Sequence, residues 1–189
     1  MRSLKTQYFL AFGVMGAVLP YLPLFLADRG MDRVQVGWII ATTGVAVLFT
    51  PVLMTLLADL RLEGRVLLAA TFAVAVGGLL GMLGSEAFWP LLILHAVYAV
   101  SVFPVMPLLD GLNFELQARR RAAGRPEVPY HRVRVYGTVG FILPSLLLWV
   151  WLTVDDRVSL SLVVAIGFCV LGVANAFLLP RVRAEARDA

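Results

Sequence analysis

Residues 18–25 read VLPYLPLF, and residues 102–109 read VFPVMPLL. The two octets begin 84 positions apart, and each closes a long apolar run with the pattern proline, two residues, proline. A loop follows each octet and leads to a further run with an early glycine, Gly37 in one case and Gly137 in the other. A three-helix unit used twice is the pattern of the inverted repeats in secondary transporters. Because three spans is an odd number, the second copy would cross the membrane upside down.

Six apolar stretches predict six membrane-spanning helices. The 189 residues are 60% hydrophobic and only 15% charged, which is more apolar surface than a soluble domain of this size could bury. Each stretch is close to the ~20 residues that a helix needs to cross the hydrocarbon core, and none contains Asp, Glu, Lys or Arg. The stretches do not alternate as the strands of a membrane barrel would. They are Tyr8–Ala27, Val34–Leu57, Val66–Gly84, Phe88–Leu109, Val135–Val154 and Leu160–Leu179.

The Lys and Arg residues predict the orientation of these helices. With the N-terminus in the cytoplasm, 13 of the 16 fall in cytoplasmic segments and 3 in outer loops. The sequence therefore predicts a multi-pass membrane protein with both termini cytoplasmic. The membrane is expected to be the bacterial inner membrane. This topology accounts for the basic pI of 9.7 without a nucleic-acid partner, and the lipid bilayer is the expected surrounding. The first run follows Arg2 and Lys5 as in a signal peptide, but its length and its two prolines favour a retained helix.

The chain is predicted to form one six-helix bundle, an all-α membrane protein of two inverted three-helix repeats. Residues 1–115 contain helices 1 to 4, and residues 133–180 contain helices 5 and 6. Between them, residues 116–132 are predicted to form a basic cytoplasmic loop that includes three consecutive arginines, two prolines and a glycine. Residues 181–189 are polar and basic, as expected for the start of a cytoplasmic linker or tail.

Small residues inside the spans predict close helix packing. Gly77 and Gly81 in helix 3 are four positions apart, and such a pair lets a neighbouring helix approach. Cys169 in the sixth run is the only cysteine, so it can form no disulfide within the chain and builds no metal site. It is predicted to be a packing residue.

Asp110 is the most informative polar residue. It directly follows the fourth apolar run, where an acid costs several kcal/mol unless it is wet or paired. Two alternatives follow: a carboxylate solvated at the cytoplasmic rim, or one that binds protons or substrate. Arg134, just before the fifth run, is its natural partner, with a membrane anchor that snorkels to the headgroups as the alternative. His95 inside helix 4 is a candidate proton relay, although a lone buried histidine usually bonds a hydroxyl or a carbonyl.

The turn between helices 2 and 3 carries Asp59, Arg61, Gly64 and Arg65. It resembles the loop signature of the major facilitator superfamily, in which such residues hold helix ends together in one conformation. Thr55 stands where that signature has its first glycine. The resemblance implies that this turn is a conformational loop of a transporter.

A second resemblance covers helices 4 and 5. Asp110, the arginine-rich loop, and residues 130–141, which read YHRVRVYGTVGF, are similar to the lactose permease, phenylpropionate permease-like and nucleoside–proton symporter families. The whole chain aligns in outline with their N-terminal halves. The resemblance implies that Asp110 and Arg134 pair and bind substrate, and that Phe141 supplies an apolar ring face. Tyr21 is a fourth substrate-binding candidate, with packing or the membrane's aromatic belt as alternatives.

These features predict one half of a secondary active transporter, with no enzymatic activity, cofactor or metal. The resemblance implies proton-coupled uptake of a small organic solute such as an aromatic acid, a nucleoside or a sugar. A major facilitator has two six-helix halves, so the expected partners are the substrate, protons, and a second half or another copy of this chain. Three alternatives stay open: a piece of a longer permease, a half-size protein that pairs, and a non-transporting membrane subunit with a regulatory or binding role.

Overall fold

The computed structural model describes residues 1–59 and 63–181, with the backbone alone for residues 51–59. Every regular element within these residues is a helix. The eight described helices are α1 (Arg2–Val18), α2 (Leu22–Asp28), α3 (Arg33–Asp59), α4 (Gly64–Leu83), α5 (Phe88–Val102), α6 (Val105–Ala122), α7 (Tyr130–Leu152) and α8 (Leu160–Ala176). The predicted all-α class is confirmed.

The eight helices form six rods, one for each predicted apolar stretch. Rod 1 is α1 and α2, which bend by 41° at their junction, and rod 4 is α5 and α6, which together run for 35 residues. Rods 2, 3 and 5 are α3, α4 and α7, each long and apolar enough to cross a membrane. Rod 6 is α8, whose 17 residues span about 26 Å, slightly less than the ~30 Å hydrocarbon core.

Prolines set the breaks in rods 1 and 4. Pro20 and Pro104 each follow a helix end, because proline lacks the N–H that the helix needs and its ring clashes with the preceding turn. The second proline of each pair, Pro23 or Pro107, lies in the first turn of the next helix, where proline is tolerated. Among the described helices only rod 1 bends by more than 40° at its break. The two repeats therefore share the position of the break but not its angle.

The packing of the rods agrees with a twofold repeat. Rod 1 packs chiefly on rods 5 and 6, rod 4 packs chiefly on rods 2 and 3, and rods 3 and 6 pack on each other. Exchanging rods 1–3 with rods 4–6 leaves this set of pairs unchanged, as a twofold axis between two three-rod units requires. Since each unit has three rods, the two units run through the bundle in opposite directions.

Glycines bring the backbones of α1 and α7 into direct contact. Gly16 lies against the carbonyl group of Phe141, and Gly140 lies against the carbonyl group of Phe9. Neither position has room for a Cβ atom, because the group that a Cβ would meet is backbone and cannot rotate away. Rods 1 and 5 therefore pack in direct backbone contact.

The predicted glycine pair of helix 3 is only half correct. Gly81 packs on the Leu94 side chain of α5, but a Cβ atom at Gly77 would meet no atom within 4 Å. Gly78 makes the second approach to α5 instead, against the Leu94 carbonyl. Each step along a helix turns the side chain by about 100°, so Gly77 faces away from the contact that its neighbour makes. Cys169 is buried in α8, in agreement with its predicted packing role.

The connection between rods 4 and 5 is shorter than the predicted loop of residues 116–132. α6 continues to Ala122 and α7 begins at Tyr130, so residues 123–129 alone connect them. Residues 116–122 are good helix formers, and three arginines in the last turn interact favourably with the helix dipole. Gly124 ends the helix with a φ of 64°, a left-handed conformation that favours glycine.

Side chains from the end of α6 hold this connection in place. Gln117 Nε2 donates to the carbonyl oxygen of Val128 at 2.6 Å, and Gln117 Oε1 accepts from the Val128 N–H at 3.0 Å. Arg121 Nε pairs with Glu127 Oε1 at 2.5 Å. The hydrogen bond from Arg121 lowers the pKa of the Glu127 carboxyl group from its usual value. These contacts fix where α7 starts relative to α6.

α3 and α7 are the least buried of the long apolar helices. They occupy equivalent places in the two repeats, as rods 2 and 5. Both carry large exposed apolar side chains, among them Trp38 and Leu48 on α3 and Leu147 and Trp149 on α7. The bundle therefore presents two long apolar faces that its own helices do not cover.

Candidate functional site

Three helices bring a carboxylate, two phenols and a guanidinium to one region of the bundle. Asp110 lies on α6, and its Oδ1 accepts a hydrogen bond from the Tyr8 hydroxyl on α1 at 2.5 Å. The same oxygen accepts from the Tyr130 hydroxyl, at the start of α7, at 2.9 Å. Tyr8 is fully buried, whereas Asp110 is half-buried and Tyr130 is exposed. A phenol from each neighbouring helix therefore holds the carboxylate.

Arg134 approaches the same region from the second turn of α7. Its Cζ lies 4.4 Å from the centroid of the Phe12 ring and 5.9 Å from that of Tyr8. A guanidinium over an aromatic face is a cation–π contact. Its Nη1 lies 3.6 Å from the sulfur of Met106. The Arg134 side chain is thus placed by aromatic rings and a thioether. Within the described residues its N–H groups have no oxygen acceptor, so they are available for a ligand.

The predicted direct pair between Asp110 and Arg134 is wrong. Among the described residues, no ion pair includes either side chain. Two phenol hydroxyls donate to Asp110 instead, and the Arg134 guanidinium stacks on the Phe12 ring. Gly137 makes this arrangement possible, because a Cβ atom at that position would collide with the Phe12 ring.

One face of α7 presents three different binding groups in succession. Arg134, Thr138 and Phe141 are four and three positions apart, so they lie on the same side of the helix within about 10 Å. Arg134 and Thr138 line an open cavity of about 460 Å³, and Phe141 is half-buried. Thr138 was not among the predicted site residues. Its spacing of four positions from Arg134 is the signal that could have found it.

Tyr21 lies apart from this cluster, in the break of rod 1. It is 7% exposed, and its hydroxyl donates to the backbone oxygen of Ser145 at 2.5 Å. The Ser145 hydroxyl in turn lies 2.7 Å from the carbonyl oxygen of Gly16. Tyr21 therefore belongs to the joint between rods 1 and 5. Thirteen positions separate it from Tyr8, so it lies about 20 Å along the rod from the tyrosine that bonds Asp110.

His95 is also distant from Asp110. Its Nδ1 lies 2.7 Å from the Thr42 hydroxyl, in the contact between α5 and α3, and it is 1% exposed. Tyr98 packs beside it with ring centroids 5.8 Å apart. The hydroxyl partner that a lone buried histidine usually has is thus present.

In the part of the chain that the structure describes, no group of His, Cys, Asp and Glu side chains could hold a metal ion.

Only part of the predicted conformational loop lies in the described residues. Arg61 falls outside them, and Asp59 is described by its backbone alone. Gly64 begins α4, and Arg65 Nε pairs with Glu63 Oε2 at 2.7 Å. Glu63 directly precedes α4 and Arg65 lies in its first turn, so this local pair stabilises the start of rod 3.

Asn113 is a further unusual residue near Asp110. It is fully buried, and among the described residues it alone has buried side-chain nitrogen and oxygen atoms without a hydrogen-bond partner. Each unpaired buried polar atom costs about 1–3 kcal/mol. Asn113 lies on α6 three positions after Asp110 and four before Gln117, on one side of the helix.

The chain matches a family along its whole length. The family described as nucleoside H+ symporter matches residues 1–189. The chain is similar to xanthosine permease of Escherichia coli (strain K12), with 28% identity over 195 aligned positions that cover 98% of this chain and 44% of the permease. It is also similar to nucleoside permease NupG of the same organism, with 26% identity over 143 positions that cover 75% of this chain and 34% of the permease. This chain therefore spans less than half the length of these relatives.

A solved structure shares the fold. The crystal structure of nucleoside transporter NupG matches this chain with a TM-score of 0.86 and 20% sequence identity, over 99% of this chain and 45% of that one. The likeness shows that the six rods have the arrangement of six helices of that transporter. The predicted fold class is confirmed, and the family match confirms one of the families that the sequence resembles.

Proposed function

Because the chain belongs to the nucleoside H+ symporter family, we propose that it forms one six-helix half of a transporter that couples nucleoside uptake to proton entry. The observation that carries this proposal is the face of α7 that presents Arg134, Thr138 and Phe141 beside the Asp110 carboxylate. The chemistry of this face is that of binding, and the proposal assigns the protein no enzymatic reaction.

The groups on this face complement a nucleoside. A nucleoside carries ribose hydroxyls, ring nitrogen and carbonyl acceptors, and a flat base. In the proposal the Arg134 N–H groups donate to these acceptors, the Thr138 hydroxyl bonds the ribose, and the Phe141 ring packs on the base. Nucleosides are preferred to aromatic acids and sugars because the matching family and its relatives are described as nucleoside transporters.

Asp110 is proposed to bind the proton. A carboxylate near the end of a membrane-spanning helix is a group that can take up and release a proton during transport. Tyr8 and Tyr130 keep it in one position from α1 and α7. Tyr21 and His95 take no part in this proposal, because Ser145 already engages the Tyr21 hydroxyl and Thr42 already engages Nδ1 of His95.

A second six-helix half completes the proposed transporter. One half supplies one wall of a path, and alternating access needs two bodies that rock about a shared site. The exposed apolar faces of α3 and α7 are the surfaces that the second half would cover. That half is either a further part of the same polypeptide or another copy of this chain. The conformational loop around Gly64 and Arg65 would then contact the moving helix ends on the cytoplasmic side.

The protein is proposed to lie in the bacterial inner membrane, with the N-terminal and C-terminal ends of the six-helix bundle in the cytoplasm. Cysteine labelling tests this topology, because Arg119 and Asp156 are both exposed and the native Cys169 is buried. We expect Arg119→Cys to react with a membrane-impermeant maleimide only in inside-out vesicles. Asp156→Cys is expected to react only in intact spheroplasts. Reaction of both variants from the same side would contradict the topology.

Nucleoside uptake tests the function directly. The transporter assembled from this chain and its second half is reconstituted into liposomes, and an inwardly directed proton gradient is imposed. We expect radiolabelled uridine or adenosine to accumulate, and a protonophore to abolish the accumulation. Liposomes that contain only the monomeric chain are expected to show no uptake, because they lack half of the path. A correctly folded assembly that binds and moves no nucleoside would refute the proposal and favour the non-transporting subunit.

A further inference from the structure

Polar side chains follow one face of α6 from the site toward the connection with α7. Asp110, Asn113 and Gln117 are three and four positions apart, so they lie in a row over about 10 Å of helix. Phenol hydroxyls bond the first of them, and the backbone of Val128 bonds the last. Asn113, between them, is the one member of the row without a protein partner in the described residues.

Another buried amide in the interior has hydrogen-bond partners for both of its polar atoms. Gln7 on α1 is also fully buried, but its Nε2 donates to the carbonyl oxygen of Gly172 at 3.1 Å. Its Oε1 accepts from Asn175 Nδ2 at 2.5 Å. Both polar atoms of the Gln7 amide are therefore paired by residues of α8. Asn113 is an exception, and its unpaired amide requires a ligand.

The surroundings of Asn113 define the ligand. Leu109, Leu112 and Leu116 are its buried neighbours on α6, so an apolar side chain would suit the packing. An unpaired amide offers one donor group and one acceptor group to whatever lies beside it. Water matches both and is small enough for an interior site, since buried waters characteristically bond otherwise unsatisfied polar groups.

We propose that Asn113 binds a buried water molecule that carries protons between Asp110 and the cytoplasmic end of α6. The inference rests on the proposed proton-coupled function. Protonated Asp110 gives its proton to this water, and the water passes one of its own protons to solvent at the end of the row near Gln117. The carboxylate that remains keeps the hydrogen bonds from Tyr8 on α1 and Tyr130 on α7. One proton leaves and one negative charge stays on Asp110, so the step balances.

The ionisable groups around Asp110 set the direction of this path. Tyr8 faces it from α1, and Tyr130 and Arg134 face it from α7. The Arg134 guanidinium repels a proton that moves toward the cavity of α7. From Asp110 to Gln117 the row offers only neutral amides, Asn113 and Gln117, and Arg121 one turn further on is paired with Glu127.

Two transport modes separate this relay from substrate binding. Accumulation driven by a proton gradient requires proton release in every cycle, whereas exchange of internal for external nucleoside at equal pH requires no net proton movement. Asn113→Leu is expected to lower gradient-driven accumulation at least tenfold and to leave exchange within twofold of the wild type. Asn113→Ser keeps a polar group and leaves space for water, and it is expected to retain accumulation within threefold.

The matched control is Leu112→Met, a volume-conserving apolar change next to Asn113, which is expected to leave both modes within twofold. If Asn113→Leu fails to fold, Asn113→Met takes its place. Accumulation retained by the apolar variant would overturn the relay while the proposed function stands. Loss of both modes with unchanged thermal unfolding would also overturn it, because Asn113 would then act in translocation. A wild type that performs neither mode would refute the proposed function, and the relay with it.

Discussion

Gly140→Ala is expected to cause a large loss of stability of this bundle. The new Cβ atom would meet the carbonyl oxygen of Phe9 well inside contact distance, so α1 and α7 would have to separate. Overpacking typically costs 1–3 kcal/mol, and we expect about 3 kcal/mol or more here because the obstacle is backbone. At about 2–4 °C per kcal/mol for a chain of this size, the midpoint of thermal unfolding in detergent should fall by about 6–12 °C.

Gly77→Ala is the matched control for this prediction. Gly77 also lies inside a membrane-spanning helix, but a Cβ atom there would meet no atom within 4 Å. Alanine is the better helix former by roughly 0.5–1 kcal/mol, so the unfolding midpoint should stay constant or rise slightly. Equal losses in the two variants would mean that glycine acts through backbone flexibility in this protein, and that the close contact between α1 and α7 is not what the glycines provide.

The six rods could be predicted because they depend on local properties of the sequence. Each uncharged stretch of about 20 residues identifies a span without reference to the others. Pro20 and Pro104 end their helices through the covalent structure of proline itself. The shared octet then indicated the repeat, which the exchange symmetry of the helix pairs supports. The end of α6 was misplaced because arginine is both a good helix former and a typical loop residue beside a membrane.

The site was harder to predict because it depends on how the rods rotate about their axes. Asp110 and Arg134 were found from their places near the ends of apolar runs. Their actual partners, Tyr8 and Phe12, lie in the middle of helix 1 among other aromatic residues, and no spacing within one helix connects them to α6 or α7. An acid and a base on adjoining helices suggest a pair, but a phenol or an aromatic ring of a third helix can satisfy each of them separately.

The same limitation explains Tyr21 and Asn113. Tyr21 could equally serve a substrate or pack between helices, and the carbonyl group of Ser145 that it bonds carries no signal in the sequence. Asn113 gave no signal at all, because an asparagine is ordinary near the end of a helix. Its full burial without a protein partner became visible only when the surrounding helices were in place.

Asp110→Asn in the complete transporter is expected to lower proton-driven nucleoside uptake by about 10- to 100-fold, with normal expression and membrane insertion. The amide keeps the size of the carboxylate but cannot take up and release a proton. It also weakens two hydrogen bonds to a charged acceptor, and such bonds contribute about 1.5–3 kcal/mol. A loss of about 1.4–2.8 kcal/mol corresponds to the stated range. The measurement is initial uptake of radiolabelled uridine under an imposed pH gradient.

Arg134→Lys is expected to fail to a similar extent although it preserves the positive charge. Lysine lacks the planar fork of N–H donors and the flat face that stacks on Phe12. It therefore cannot make the same contact with Phe12 or the same hydrogen bonds to the substrate. Arg125→Lys is the matched control, because Arg125 is exposed in the connection between α6 and α7 and does not line the cavity of Arg134 and Thr138. Uptake by Arg125→Lys should remain within twofold of the wild type. If Asp110→Asn and Arg134→Lys also remain within twofold, both residues are anchors at the membrane interface and the substrate path lies elsewhere in the bundle.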